Sequence, residues 1–156
     1  MNPRFAFAVA TALFLLAPAA THAQPVSPDY YVGLGIRTGL YDSTALVIDS
    51  RITLARVEPW TASLRPTLLL AGAPELRVAA TIDYVIEDRV VPYAGAGIAW
   101  NESGSARTDP MLAAGLDWVL VGPLVLDLNL NHLFQPNDTD TEFTASLNYS
   151  LSRVFR

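Results

Sequence analysis

The chain has 156 residues, 51% of them apolar, and a formal net charge of −5, which is length enough for one domain with its own core. It has no cysteine, which excludes disulfides and thiolate metal sites, and no lysine, so all ten basic residues are arginines, with no basic patch of the kind a nucleic-acid binder carries. Mean hydropathy is +0.30, high for a soluble domain, yet beyond residue 17 no run of about 18 apolar residues offers a membrane-spanning helix.

The first element is a leader. "MNPR" gives a positive start, "FAFAVATALFLLA" (5–17) is a short apolar stretch broken by Pro18, and "THA" ends at Ala23 with Thr21 two residues before it. This pattern predicts a secretory signal peptide over 1–23, too short for an uncleaved anchor, with cleavage after Ala23. Cleavage removes Arg4 alone and takes the net charge from −5 to −6. Residues 24–156 then read as a single domain.

No helical period follows. Alternating runs predict eight strands, at 30–38, 44–54, 60–70, 75–86, 91–100, 110–120, 124–134 and 141–155. Between them lie the turn-rich stretches "GLYDS", "ARVEP", "AGAP", "EDR", "NESGSARTD", "VG" and "QPNDTD". Most strands run about 10 residues, the length a tilted strand needs to cross a bilayer, against about 5–6 in a globular sheet. An even number permits closure as an up-and-down barrel.

The decisive question is which face is oily. In "PLVLDLNLNHLF" (123–134), Leu124, Leu126, Leu128 and Leu130 alternate with Val125, Asp127, Asn129 and Asn131. Across the first seven strands the even positions are almost wholly apolar and carry no charge; in the eighth the apolar parity is odd. The opposite faces collect Arg37, Asp49, Arg51, Arg65, Arg77, Asp83, Asp117, Asp127 and Glu142, with Ser, Thr and Asn between them. Gly33, Gly35, Gly95, Gly97 and Gly115 share these faces and are expected to leave room in a narrow lumen. Arg56 and Arg153, on the apolar flanks, are expected near the membrane interface. A lipocalin-like soluble barrel, the rival, needs the reverse, an apolar interior and a polar exterior.

Aromatic residues mark the strand ends. Tyr30, Trp60, Tyr84, Trp118 and Phe155 fall at one end, and Trp100, Phe134 and Phe143 at the other, as two headgroup belts would. Tyr149 is the outward aromatic expected in mid-strand. A signal peptide, eight alternating strands, "VPYAGAGIAW" and a last strand "FTASLNYSLSRVF" together resemble the small outer-membrane β-barrel superfamily, the OmpA-like and OmpX-like barrels, over residues 30–155. That resemblance implies an all-β, eight-stranded antiparallel transmembrane barrel in a bacterial outer membrane. It also implies that the final aromatic, Phe155, acts as an assembly signal, although Arg156 follows it. The expected partners are outer-membrane lipids, periplasmic chaperones and the barrel-assembly machinery, with no nucleic acid, and the expected state is a monomer. Pro66 inside the third strand breaks the pattern, because a closed barrel has no edge to hold it; a bulge near Ser63–Thr67 is the expected remedy.

The interior charges read as an ion-pair plug, since an eight-stranded barrel is just wide enough for side chains to fill it. If Leu54 faces Trp60, Asp49 faces Arg65, and that cross-strand pair is predicted. His132 is the one histidine after the leader. Small barrel lipid A deacylases carry a His here with a Ser two residues on, where this chain has Phe134, so an outward interfacial histidine is expected and no catalysis. Asp109, Asp138, Asp140 and Glu142 read as a solvated hairpin region without the glycine and spacing of a Ca²⁺ loop; no metal and no cofactor are expected. The expected role is a structural, non-catalytic outer-membrane barrel supporting envelope integrity or weak surface binding. The alternatives are a narrow pore for small solutes and a lipid A-modifying enzyme using His132.

Overall fold

The computed structural model describes residues 28–39, 44–70, 74–87, 89–101 and 107–151. The expected signal peptide, Arg153, Phe155 and the centre of "NESGSARTD" lie outside these residues. Eight strands form one closed antiparallel barrel in sequence order: β1 (Tyr30–Gly39), β2 (Ala45–Val57), β3 (Trp60–Leu70), β4 (Glu75–Tyr84), β5 (Val90–Asn101), β6 (Arg107–Val119), β7 (Leu124–Gln135) and β8 (Asp138–Ser150). β8 pairs with β1 to close the ring. The eight strands fall where the alternation places them, but several boundaries move. β2 runs to Val57, β6 begins at Arg107, and β8 begins at Asp138 and ends at Ser150, earlier than the 141–155 expected from sequence.

The register sets the shape. From Tyr30, successive partners are Ile52, Leu64, Ala80, Ala96, Leu112, His132 and Thr141. On the adjacent row, from Gly39 through Glu142, Asn131, Ala113, Gly95, Thr81, Ser63 and Thr53, whose N–H donates to the Asp29 carbonyl, the walk closes ten residues from its start. With a rise of about 3.3 Å per residue and a strand spacing of about 4.8 Å, that stagger tilts the strands by roughly 40°. A strand of about 10 residues at that tilt covers roughly 25 Å, the height of a membrane barrel's apolar band.

The connections near Glu58–Pro59, Val85–Arg89 and Leu120–Pro123 close one end, here termed the turn end; the other, the loop end, holds the remaining links. The β2–β3 register corrects one expectation. Asp49 faces Thr67, not Arg65, because the hairpin turn is three residues tighter than expected, a shift that Leu54, an extra residue between Thr53, which faces Ser63, and Ala55, which faces Ala62, takes back by only one. Val57, not Leu54, meets Trp60 across the two-residue turn. The bulge is thus on β2 and not at Ser63–Thr67. It also resets the faces: Arg56 now shares the inward face of its partner Thr61 and donates to Asp29 Oδ1 at 2.7 Å instead of lying against lipid. At Pro66 the ladder is interrupted, and Ser50 Oγ donates to the Pro66 carbonyl at 2.7 Å.

Sidedness is as the alternation predicts. Leu34, Ile36, Leu46, Ile52, Ile82, Ile98, Leu112 and Leu130 point away from the barrel, with Leu34 68% uncovered by protein, while Arg51, Asp83, Asp117 and Asn148 are 0% exposed inside it. Tyr30, Trp60, Tyr84, Trp100, Trp118, Phe134 and Phe143 all lie on the outer face. Trp60 and Tyr84 pack edge to face, 4.8 Å between centroids, at the turn end. Tyr149 is not mid-strand: it faces Leu124, the first residue of β7, and so joins that belt.

Candidate functional site: the charged lumen

The inward faces of all eight strands converge on one polar interior. Its centre of charge, in the turn-end half, is a closed quartet of two arginines and two aspartates. Arg51 donates from Nη2 to Asp83 Oδ2 at 2.9 Å and from Nη1 to Asp117 Oδ2 at 3.1 Å. Arg65 donates through Nη2 to the same Asp117 oxygen at 2.9 Å and to Asp83 Oδ1 at 3.4 Å, and through Nη1 to Asp117 Oδ1 at 3.1 Å. The two planar forks therefore tie β2 and β3 to β4 and β6, a bridging geometry that a lysine's single ammonium could not reproduce.

Neutral groups complete the quartet. Arg51 Nε donates to Ser63 Oγ at 3.1 Å, Thr81 donates to Asp83 Oδ1 at 2.7 Å, and Ser63 donates to Asp83 Oδ2. Tyr31 OH donates to Asp117 Oδ1 at 2.8 Å and accepts from Arg65 Nη1 at 2.7 Å. The Arg65 guanidinium also lies over the Tyr93 ring, 3.3 Å from its centroid. Such satisfaction is what makes buried charge tolerable.

Beside the quartet lie two more acids. Tyr93 OH donates to Asp127 Oδ1 at 2.7 Å, and Asn129 donates to Tyr93 OH at 2.8 Å. Tyr93 reaches this position by crossing its partner Gly115, where an added Cβ would come 2.4 Å from the phenol oxygen. Asp49 accepts from Thr67 at 3.2 Å and from Ser146 at 2.7 Å. Gly115 thus leaves lumen room as expected, whereas Gly95 does not. At Gly95 an added Cβ would come 2.0 Å from the Ala80 carbonyl oxygen, so what this glycine accommodates is the close approach of β4, not open lumen space.

Toward the loop end, Glu142 bridges Arg37, at 3.0 Å, and Arg77, which also pairs with Glu75. Glu142 is thus a buried lumen group and not part of a solvated hairpin; Asp109 pairs instead with Arg107 at 2.7 Å. Ala79, Ala99, Met111, Ala113 and Leu133 form an apolar cluster on the inner wall of β4 to β7. All nine charged residues expected in the lumen are there. Tyr31, Tyr93, Thr61 and Glu75 were not singled out from sequence; the inward parity of their positions was the available signal, masked for the tyrosines by their aromatic character.

His132 shares Leu112's register on the outer face, with Nδ1 2.8 Å from Thr141 Oγ1 and its ring edge to face with Phe134 at 4.8 Å. Among the described residues, no group of three or more His, Asp or Glu side chains is placed to hold a metal ion.

No protein-family model matches the chain, and no curated protein matches it in sequence. Solved structures do match in shape. A de novo designed transmembrane β-barrel shares 14% identity with a TM-score of 0.60, covering 81% of this chain and 97% of the design. The outer-membrane protein Ail of Yersinia pestis, in a phospholipid bilayer nanodisc, shares 13% identity with a TM-score of 0.55, covering 78% of this chain and 98% of Ail. The N-terminal β-barrel domain of Pseudomonas aeruginosa OprF shares 12% identity with a TM-score of 0.54, covering 80% of this chain and 97% of that domain. The chain has the fold of the small eight-stranded, OmpA-like and OmpX-like outer-membrane barrels.

Proposed function

We propose that this protein is a structural, non-catalytic barrel of a bacterial outer membrane, exported by its leader and sealed by its own side chains. The observation that carries this reading is the sidedness of the wall. A predominantly apolar exterior, belted by aromatics at both ends, surrounds an interior of buried ion pairs. In water that exterior would be an aggregation surface; in a bilayer it is the solvated face. Its surroundings are outer-membrane lipids, its route passes through periplasmic chaperones and the barrel-assembly machinery, and it works as a monomer.

The closed quartet supports a sealed lumen over a solute pore, because Arg51, Asp83 and Asp117 leave no solvent-exposed surface along that section. His132 supports no hydrolytic role, since its polar neighbour is Thr141 and the residue two positions on is Phe134. The test is fractionation of cells expressing the protein, with gel mobility read before and after boiling. An outer-membrane band whose mobility changes on boiling is expected. Recovery in the soluble periplasmic fraction without detergent would overturn the reading.

A further inference from the structure

The lumen holds more acid than its arginines balance. Asp83 and Asp117 are matched by Arg51 and Arg65, and Glu142 and Glu75 by Arg37 and Arg77. Asp49 and Asp127 remain. Asp49 accepts from Thr67, Ser146 and Asn148, all neutral. Asp127 accepts from Tyr93, and its nearest cation, Arg65 Nη1, stands 4.0 Å away while engaged with Asp117. Ser146 links the two carboxyls: it is the register partner of Asp127 and donates to Asp49 Oδ2 at 2.7 Å.

A second observation concerns the amides beside them. Asn148 is 0% exposed and its Oδ1 has no partner. That oxygen lies over Gly33, 2.4 Å from where a Cβ would stand, and Gly33 is flanked by Asn148 on one side and Asp49 on the other. Turning the amide over would set its oxygen against the Asp49 carboxyl, so the orphan is forced. The Oδ1 of Asn129, the residue that supports Tyr93, is likewise unpartnered. This section of the lumen therefore has oxygen acceptors in excess of its donors, and its nearest cation, Arg65, is engaged with Asp117, a combination that disfavours burial unless something supplies further positive charge.

We infer that Asp49 and Asp127 form a binding site for one small cation, a proton or an alkali ion, which supplies the positive charge that the arginines of the lumen do not. Facing the two carboxyls are Arg65 and Thr67 of β3, Tyr93 of β5, and Ser146 and Asn148 of β8; beyond Arg65 stand Arg51, Asp83 and Asp117 of the quartet with Tyr31, and Glu142 of β8 is held by Arg37 and Arg77. Loss of the occupant would leave two unneutralised carboxylates beside Ser146 between fixed walls.

The test uses the full-length protein folded in detergent, with the unfolding midpoint measured from pH 5 to 9. Sodium or potassium chloride is compared with N-methylglucamine chloride at equal ionic strength. A proton as occupant gives a midpoint that falls as pH rises, whichever salt is present, together with an infrared carboxylic-acid band that Asp127→Asn removes. An alkali ion gives a midpoint that rises with sodium or potassium at fixed pH. In either case Asp49→Asn and Asp127→Asn flatten the dependence and keep the folded gel mobility, since each removes one unneutralised charge, whereas Asp117→Asn leaves the dependence in place. A wild-type midpoint indifferent to both pH and alkali ion would overturn the site. So would a dependence that survives in both asparagine variants.

Discussion

At the residue scale, the interior is organised by what a guanidinium can do that an ammonium cannot. Arg65 reaches Asp83, Asp117 and the Tyr31 hydroxyl with one planar group while its face rests on Tyr93. Replacing it by methionine keeps the stem but leaves Asp117 and Asp83 each short of a cation. Breaking a buried pair on one side costs about 3–5 kcal/mol. Urea unfolding of Arg65→Met in detergent, followed by tryptophan fluorescence, should show a loss of that order, and adding Asp117→Asn should recover part of it because both charges then leave together. Gly115 gives a smaller effect of another kind. Its added Cβ in Gly115→Ala meets the Tyr93 phenol at 2.4 Å and the Leu128 carbonyl at 2.5 Å. Displacing Tyr93 loosens Asp127, and a destabilisation of about 1–3 kcal/mol is expected in the same assay.

At the element scale, each strand separates two environments, and its alternation is legible because the period is two. Charge was confined to one parity and aromatics to the strand ends, so the eight strands, their sidedness and the nine interior charges could be read directly. Contacts across strands were less legible, because a single added residue changes every partner beyond it. Nothing in "RITLARVEPW" distinguishes a two-residue turn at Glu58–Pro59 from a five-residue turn over "ARVEP", nor marks Leu54 as a bulge, and so Asp49 and Arg65 are not partners although both lie in the lumen. Tyr31 and Tyr93 were hidden for a different reason: a tyrosine has an apolar ring and a polar tip, and composition alone does not say which one the site uses. The outward face yields a prediction by depth. Ala114 stands near the middle of β6's outer face and Leu120 just beyond its turn end. Ala114→Arg should cost about 2–4 kcal/mol in refolding into phospholipid vesicles, and Leu120→Arg about 0–1 kcal/mol, the gradient a bilayer imposes. Equal costs at both positions would mean that no hydrocarbon layer surrounds the wall.

At the scale of the whole molecule, the stagger of the ring and the contents of its lumen are one property. Eight strands closing with a ten-residue offset leave an interior only wide enough for side chains. The lumen is therefore a core, with an apolar cluster at Ala79, Ala99, Met111, Ala113 and Leu133 and polar sections built from paired charge. A core of this kind ties strands distant in sequence, since Arg51 to Asp117 spans 66 residues and Ser146 to Asp49 spans 97. These ties hold the cylinder closed from within, while the ladder holds it strand to strand. A wall held in this way should not conduct. Reconstituted into planar bilayers, the protein should show no steady ionic current, because Arg51, Asp83 and Asp117 are fixed by bonds on several strands and have no route to swing aside together. A discrete conductance that falls in Arg51→Ala or Asp127→Asn would show that ions pass these groups, and the ring of ion pairs would then be a selectivity constriction and not a seal.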